Sequence, residues 1–124
     1  MNIPNNLKYT ESHEWIRVEG DEAFIGITEY ASSQLGDIVF LEIETEGEDL
    51  DKGESYGTIE AVKTVADSYM PIGGTVLEVN QTAIDEPSIV NKDPYGEGWL
   101  IKIKIADAAE LDELLDSEAY AATI

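Results

Sequence analysis

The chain has 124 residues, 43% of them apolar, no cysteine, and a formal net charge of -20 from 27 acidic and seven basic side chains. One hydrophobic core of globular type fits that length and composition, while the missing cysteines exclude disulfides, zinc–thiolate sites and cysteine nucleophiles. The charge argues against non-specific nucleic-acid binding and against anionic membrane surfaces.

So acidic a surface repels its own copies, so a monomer is expected, its charge serving either to steer toward basic docking sites on partners or simply for solubility, as in a salt-rich habitat. No window approaches the ~18 continuous apolar residues of a membrane span. Residues 1–8 (Met-Asn-Ile-Pro-Asn-Asn-Leu-Lys) carry no signal-like apolar run and no arginine-rich amphipathic run. The chain therefore reads as soluble and intracellular: cytoplasmic in a prokaryote, or in the mitochondrial matrix if a transit peptide has been removed.

In chain order, Glu14–Val18 and Ala23–Thr28 read as strands on either side of the turn Glu19-Gly20-Asp21-Glu22. Tyr30, Ala31 and Leu35 have helical spacing, which predicts a short helix over Thr28–Gln34 stopped by Gly36. Ile38–Ile43 alternates and reads as a strand. An acidic connection follows over 45–50, and the run Glu42, Glu44, Glu46, Glu48, Asp49, Asp51 is a solvated edge. Ser55–Val62 and Gly74–Asn80 are predicted strands, with Thr64–Met70 carrying the chain between them. Gln81–Pro94 reads as loop. Leu100–Ile105 alternates strictly, which turns Ile101, Ile103 and Ile105 to the core and Lys102 and Lys104 to solvent. Asp107 with Glu110 resembles a capping box for a C-terminal helical region over about 107–120, striped by Leu111, Leu114 and Leu115. The result is one mainly β domain over 1–124, a β-sandwich or flattened barrel with a short internal helix and a C-terminal helix.

The stretch around Lys63 is the most informative. Gly53 stands ten residues before it and Gly74 eleven after, bracketing a lysine hairpin over about 53–80. Lys63 is the only basic residue between Gly53 and Gln81, amid Glu54, Glu60, Asp67 and Glu78. The β-branched Val62 and Val65 favour extended backbone around the tip. A bare solvated lysine is the plain alternative. The coordinated frame favours a lysine presented to a modifying enzyme, whose amide would erase the charge and extend a flexible stem.

Autonomous catalysis finds little support. Ser12-His13-Glu14 contains the residue types of a triad, but triads converge in space, and strand neighbours point to opposite faces. His13 is read as structural or docking. No calcium-loop spacing, histidine pair or phosphate-binding glycine loop occurs, and Gly73-Gly74 reads as a turn.

The lysine frame resembles the lipoyl and biotinyl carrier domains, although Val62 and Thr64 replace the usual flanking methionines of biotinyl carriers. Tyr9–Trp15, Gly26-Ile27-Thr28, Leu35–Val39, Glu60-Ala61-Val62-Lys63 and Tyr95–Trp99 are similar, in order, to the glycine cleavage system H protein family. Gly73 departs from the serine more common there. The resemblance implies a barrel-sandwich hybrid fold and (R)-lipoic acid in amide linkage to Lys63. It implies a non-catalytic carrier that takes glycine's aminomethyl group from a pyridoxal-phosphate decarboxylase (P protein). A tetrahydrofolate-dependent T protein would unload it, and the L protein, dihydrolipoamide dehydrogenase, would reoxidise the dithiol.

On the same resemblance, Glu60 and Gly74 are the pair read by the lipoate-attaching enzyme. A cationic loaded arm needs a sheltering cleft with carboxylates, for which Glu14 and Asp67 are the candidates, with Ser12 as hydrogen-bonding neighbour. Three other roles stay open: relay of lipoate to other enzymes, a carrier domain of another lipoyl or biotinyl complex, and an interaction domain with bare Lys63.

Overall fold

The computed structural model describes residues 1–124. Alternating burial fixes two antiparallel sheets. The larger takes β1 (Lys8–Tyr9), β2 (Glu14–Glu19), β3 (Glu22–Ile27), β5 (Asp49–Leu50), β8 (Gly74–Val79) and β9 (Ile101–Ile105), in the order β1-β2-β3-β9-β8-β5. The smaller takes β4 (Ile38–Glu42), β6 (Ser55–Ala61) and β7 (Val65–Tyr69), in the order β4-β6-β7. Ile16, Ile25, Ile101, Ile103 and Val76 from the first sheet share one core with Leu41, Tyr56 and Ile59 from the second. This is the mainly β, sandwich-like architecture that the alternation predicts. Ile101 and Ile103 are buried as expected, whereas Ile105 and Lys102 are half-buried and only Lys104 is exposed.

The predicted internal helix is α1 (Glu29–Leu35), capped by Thr28 Oγ1, which accepts from Ala31 N at 3.2 Å, and ended by Gly36 at φ 82°. A second cluster packs Leu7, Tyr9, Trp15 and Tyr120 at one end. Gly26 is fixed by that packing, since a Cβ there would lie 2.8 Å from the Trp15 ring.

Four expectations change. The strand leading away from Lys63 is β7, within the segment read as a connection; β8 belongs to the other sheet. The lysine hairpin is therefore Ser55–Tyr69, not 53–80. The segment 81–94 holds two short helices, α2 (Gln81–Asp85), capped by Asn80, and α3 (Ile89–Lys92). The C-terminal region is a 3-10 helix (Ala108–Glu113) and a separate α4 (Ser117–Ala121). Between them Leu115 exchanges backbone hydrogen bonds with Tyr9, at 2.8 and 2.9 Å, and that extended pairing breaks any continuous helix.

No helix is long and apolar enough to cross a membrane.

Candidate functional site

Lys63 stands at the tip of the β6–β7 hairpin, in the connection Val62-Lys63-Thr64. Ala61 N donates to Thr64 O at 2.8 Å and closes that turn, while Val62 N donates to Asp37 O at 3.0 Å and ties the tip to the start of β4. The Lys63 side chain is exposed and takes part in none of the four ion pairs, Arg17–Glu19, Lys52–Glu113, Lys102–Glu22 and Lys104–Asp21. In a chain with 27 acidic side chains, a free amine at a hairpin tip is notable. Its stem lies over Gly36, where a Cβ would stand 3.2 Å from Lys63 Cε.

Glu60 is exposed and pairs with Val65 on β7 and Phe40 on β4. A register break between Ile38 and Phe40 leaves both Val39 and Phe40 facing solvent. Together with Val62, 75% exposed, and Val65, they form an apolar surface around the tip with Glu60 in its midst. Gly74 is elsewhere. It opens β8, beyond the base of the hairpin, paired with Leu50 and Ile105. A Cβ on Gly74 would stand 2.4 Å from Lys104 O, so this glycine is a close-approach position that opens the strand predicted from Gly74, and it is not part of the turn also read at Gly73-Gly74.

The three cleft candidates come together. Ser12, His13 and Glu14 from the approach to β2, Ala31, Gln34 and Leu35 from α1, and Ile59, Ala66, Asp67 and Ser68 from the hairpin line a cavity of about 190 Å³. The objection that neighbours cannot line up fails because Ser12 and His13 precede the strand and His13 adopts φ 69°. That left-handed turn lets three consecutive residues border one space. Histidine tolerates this conformation better than most side chains, which is the signal the sequence offered. A larger cavity, about 620 Å³, lies beyond the base of the hairpin among Asp49, Asp51, Lys52, Gly74, Asp107 and Glu110. Of the predicted site residues it touches only Gly74.

Glu14 is 3% exposed while Ser12 and Asp67 are open to solvent. Burial pushes the Glu14 carboxyl up to about 7, against the opposing hydrogen bonds from the Thr10 side chain and the Tyr69 backbone. Thr10 Oγ1 donates to Glu14 Oε1 at 3.0 Å and accepts from Glu14 N at 3.1 Å. Beneath it, Tyr56 Oη and Ser68 Oγ are buried and find no hydrogen-bond partner beyond each other. Burial, and after it the Glu14 charge, raise the Tyr56 hydroxyl. Burial holds His13 below the usual histidine range, hence neutral at physiological pH.

His13 does not form a triad: its Nδ1 is 2.8 Å from Tyr120 Oη, and no serine or carboxylate flanks it in that role. A buried carboxyl with no cationic partner is costly when ionised, so this cleft suits a group that brings a positive charge. The aliphatic lining from Ile27, Ala31, Leu35, Ile59 and Ala66 suits a hydrocarbon stem. The family model described as glycine cleavage H-protein matches residues 7–124. The glycine cleavage system H protein of Bacteroides thetaiotaomicron is 60% identical over 124 residues, covering 100% of this chain and 98% of that protein. That of Salinibacter ruber is 50% identical, covering 98% of each. The crystal structure of a glycine cleavage system H protein from Mycobacterium marinum superposes with a TM-score of 0.89 at 40% identity, covering 97% of each chain.

Proposed function

The chain belongs to the glycine cleavage H-protein family, and on that premise we propose that it is the lipoyl carrier of the glycine cleavage system, with lipoic acid amide-linked to Lys63. It shuttles glycine's aminomethyl group from the P protein, the pyridoxal-phosphate decarboxylase, to the tetrahydrofolate-dependent T protein. The L protein then reoxidises the arm, and a separate enzyme attaches the lipoate. The names of the relatives support this system over another lipoyl or biotinyl complex. The chain itself is a carrier subunit acting in the cytoplasm, and the chemistry of each step belongs to its partners.

The observation that carries the reading is an unpaired Lys63 amine at the tip of the hairpin whose Ile59, Ala66, Asp67 and Ser68 wall a cleft with a buried, unpaired Glu14 carboxyl. When attached, the lipoyl group supplies a disulfide that is reduced as the aminomethyl group is taken up. Lys63 anchors the arm, and Gly36 leaves room for its stem. Leu35, Ile59 and Ala66 exclude water from the stem. Glu14 and Asp67 attract the terminal amine, and Ser12 offers it a hydrogen bond. Shelter of this kind matters because water attack on the loaded carbon would waste the unit. Glu60, with Phe40 and Val65 beside it, is the surface the attaching enzyme meets as it reaches Lys63.

Intact and peptide mass spectrometry of the protein from its native host tests the reading. One lipoyl group on the Lys63 peptide, and glycine-dependent loading by purified P protein, are expected. A chain that stays unmodified in a lipoate-replete cell, or a lipoylated chain that P protein cannot load, would overturn it.

A further inference from the structure

The two walls of the cleft are joined by one atom that lies outside it. Tyr120 Oη stands 2.8 Å from His13 Nδ1 and 2.7 Å from Thr28 Oγ1. His13 sits in the wall that carries Ser12 and Glu14, and Thr28 caps α1, whose Ala31, Gln34 and Leu35 form the facing wall. Tyr120 comes from α4, at the far end of the chain. It is fully buried, with its ring stacked on Tyr9 at 4.7 Å and 10°.

His13 needs such a tether. It is the only non-glycine residue with positive φ, a conformation that costs free energy unless the surroundings impose it. Its backbone is held by His13 N donating to Thr10 O at 3.1 Å and by Thr28 N donating to His13 O at 3.0 Å. Its ring is held by Tyr120 Oη and by the Tyr30 ring, centred 4.8 Å away and tilted by 48°. Without the ring contact, relaxation toward ordinary extended backbone would turn Ser12 or His13 out of the cleft and alter the approach to Glu14.

We propose that Tyr120 is a positioning residue for the loaded arm: its hydroxyl pins the His13 turn to the cap of α1 and so sets the width of the cleft and the aim of Ser12 and Glu14. This rests on the carrier reading above. The C-terminal helix thereby serves the cleft without touching the arm.

The test uses full-length, lipoylated protein carrying Tyr120→Phe, His13→Ala or both, with Glu14→Gln for reference. Phenylalanine keeps the stack on Tyr9 and removes only the hydroxyl. After loading and removal of the decarboxylase, decay of the aminomethylated form is followed by mass. Losing the hydrogen bonds of one hydroxyl should shorten its lifetime by about three- to tenfold. Lipoylation at Lys63 should be complete. In the His13→Ala background the Phe substitution should add nothing, because Tyr120 acts through His13. In the unlipoylated protein, amide resonances of residues 12–14 and 28–31 should shift together in Tyr120→Phe while those of β8 and β9 stay in place.

Wild-type decay in Tyr120→Phe, equal shortening in both backgrounds, or unmoved amides at 12–14 would overturn the proposal. If Tyr120→Phe does not fold, His13→Ala decides alone, and a wild-type lifetime there is equally fatal. Should loaded wild type decay as fast as Glu14→Gln, the carrier cleft itself fails, a result distinct from a protecting wild type matched by Tyr120→Phe.

Discussion

Lys63 Cε stands 3.2 Å from the point where a side chain on Gly36 would begin. The glycine that ends α1 therefore also makes the bed for the lysine stem. Two demands meet at one position: φ of 82° for the helix stop and space for the lysine. Gly36→Ala should cost roughly 1–3 kcal/mol from the backbone alone. It should also slow lipoate attachment by displacing the stem. Thermal melts and a mass time course with the attaching enzyme check both, and an alanine variant unchanged in both would refute the double role.

Lys63 should be the sole modification site. It is one of six lysines, and Lys52, Lys102 and Lys104 are engaged in ion pairs. Lys63→Arg keeps the charge and removes the reactive amine, so it should abolish lipoylation with no loss of fold, since the tip is exposed. Lipoyl on the Lys52 or Lys92 peptide would contradict the assignment.

Local pattern carried what local physics decides. Strict alternation gave β9, Thr28 with Gly36 bounded α1, and the isolated lysine in an acidic frame marked the tip. Features created by long-range pairing were not legible. β1 and β5 have two residues each and exist only because β2 and β8 offer edges. Leu115 reads as helix stripe until Tyr9 pairs with it. Tyr120 and His13 are 107 residues apart, and nothing in either neighbourhood announces the other. The carboxylates of the cleft were nameable from the family likeness, but the left-handed turn that gathers them was not.

Core placement separates two leucine-sized side chains that the sequence treats alike. Ile103 is fully buried between the sheets, whereas Leu114 is half-buried at the end of the 3-10 helix. Ile103→Ala should cost roughly 2–5 kcal/mol. Leu114→Ala should cost clearly less, contrary to the equal core role its spacing suggests. Denaturant midpoints decide it, and equal losses would put the C-terminal segment back into the core.

The net charge of -20 should act on encounter. Charge steering is screened beyond a Debye length of ~10 Å at 0.1 M salt. The association rate with P protein, measured by stopped flow, should fall as salt rises toward that range if the docking face of P protein is basic. A flat rate would leave the charge to solubility alone.

Glu14 links protection of the arm to pH and stability. Its folded-state carboxyl, near 7, lies above the ordinary 4.5, so the native state holds the proton more tightly than the unfolded chain. The stability this contributes is fully present below about pH 4.5 and is lost as pH rises through 7. Glu14→Gln, which cannot ionise, should therefore be more stable than wild type at pH 8 by on the order of 3 kcal/mol, with the gap closing toward pH 4.5. The same substitution should harm the loaded protein. A cationic amine in the cleft favours the ionised carboxyl, so the pairing that protects the arm is strongest above pH 7, where the empty cleft is least comfortable. Asp67, exposed at the mouth, is screened by water and should contribute less. Loaded wild type, Glu14→Gln and Asp67→Asn are compared by mass over time at pH 6 and pH 8. Wild type should outlast Glu14→Gln by the wider margin at pH 8, with Asp67→Asn between them. Three equal lifetimes at both values would show that neither carboxylate shelters the arm.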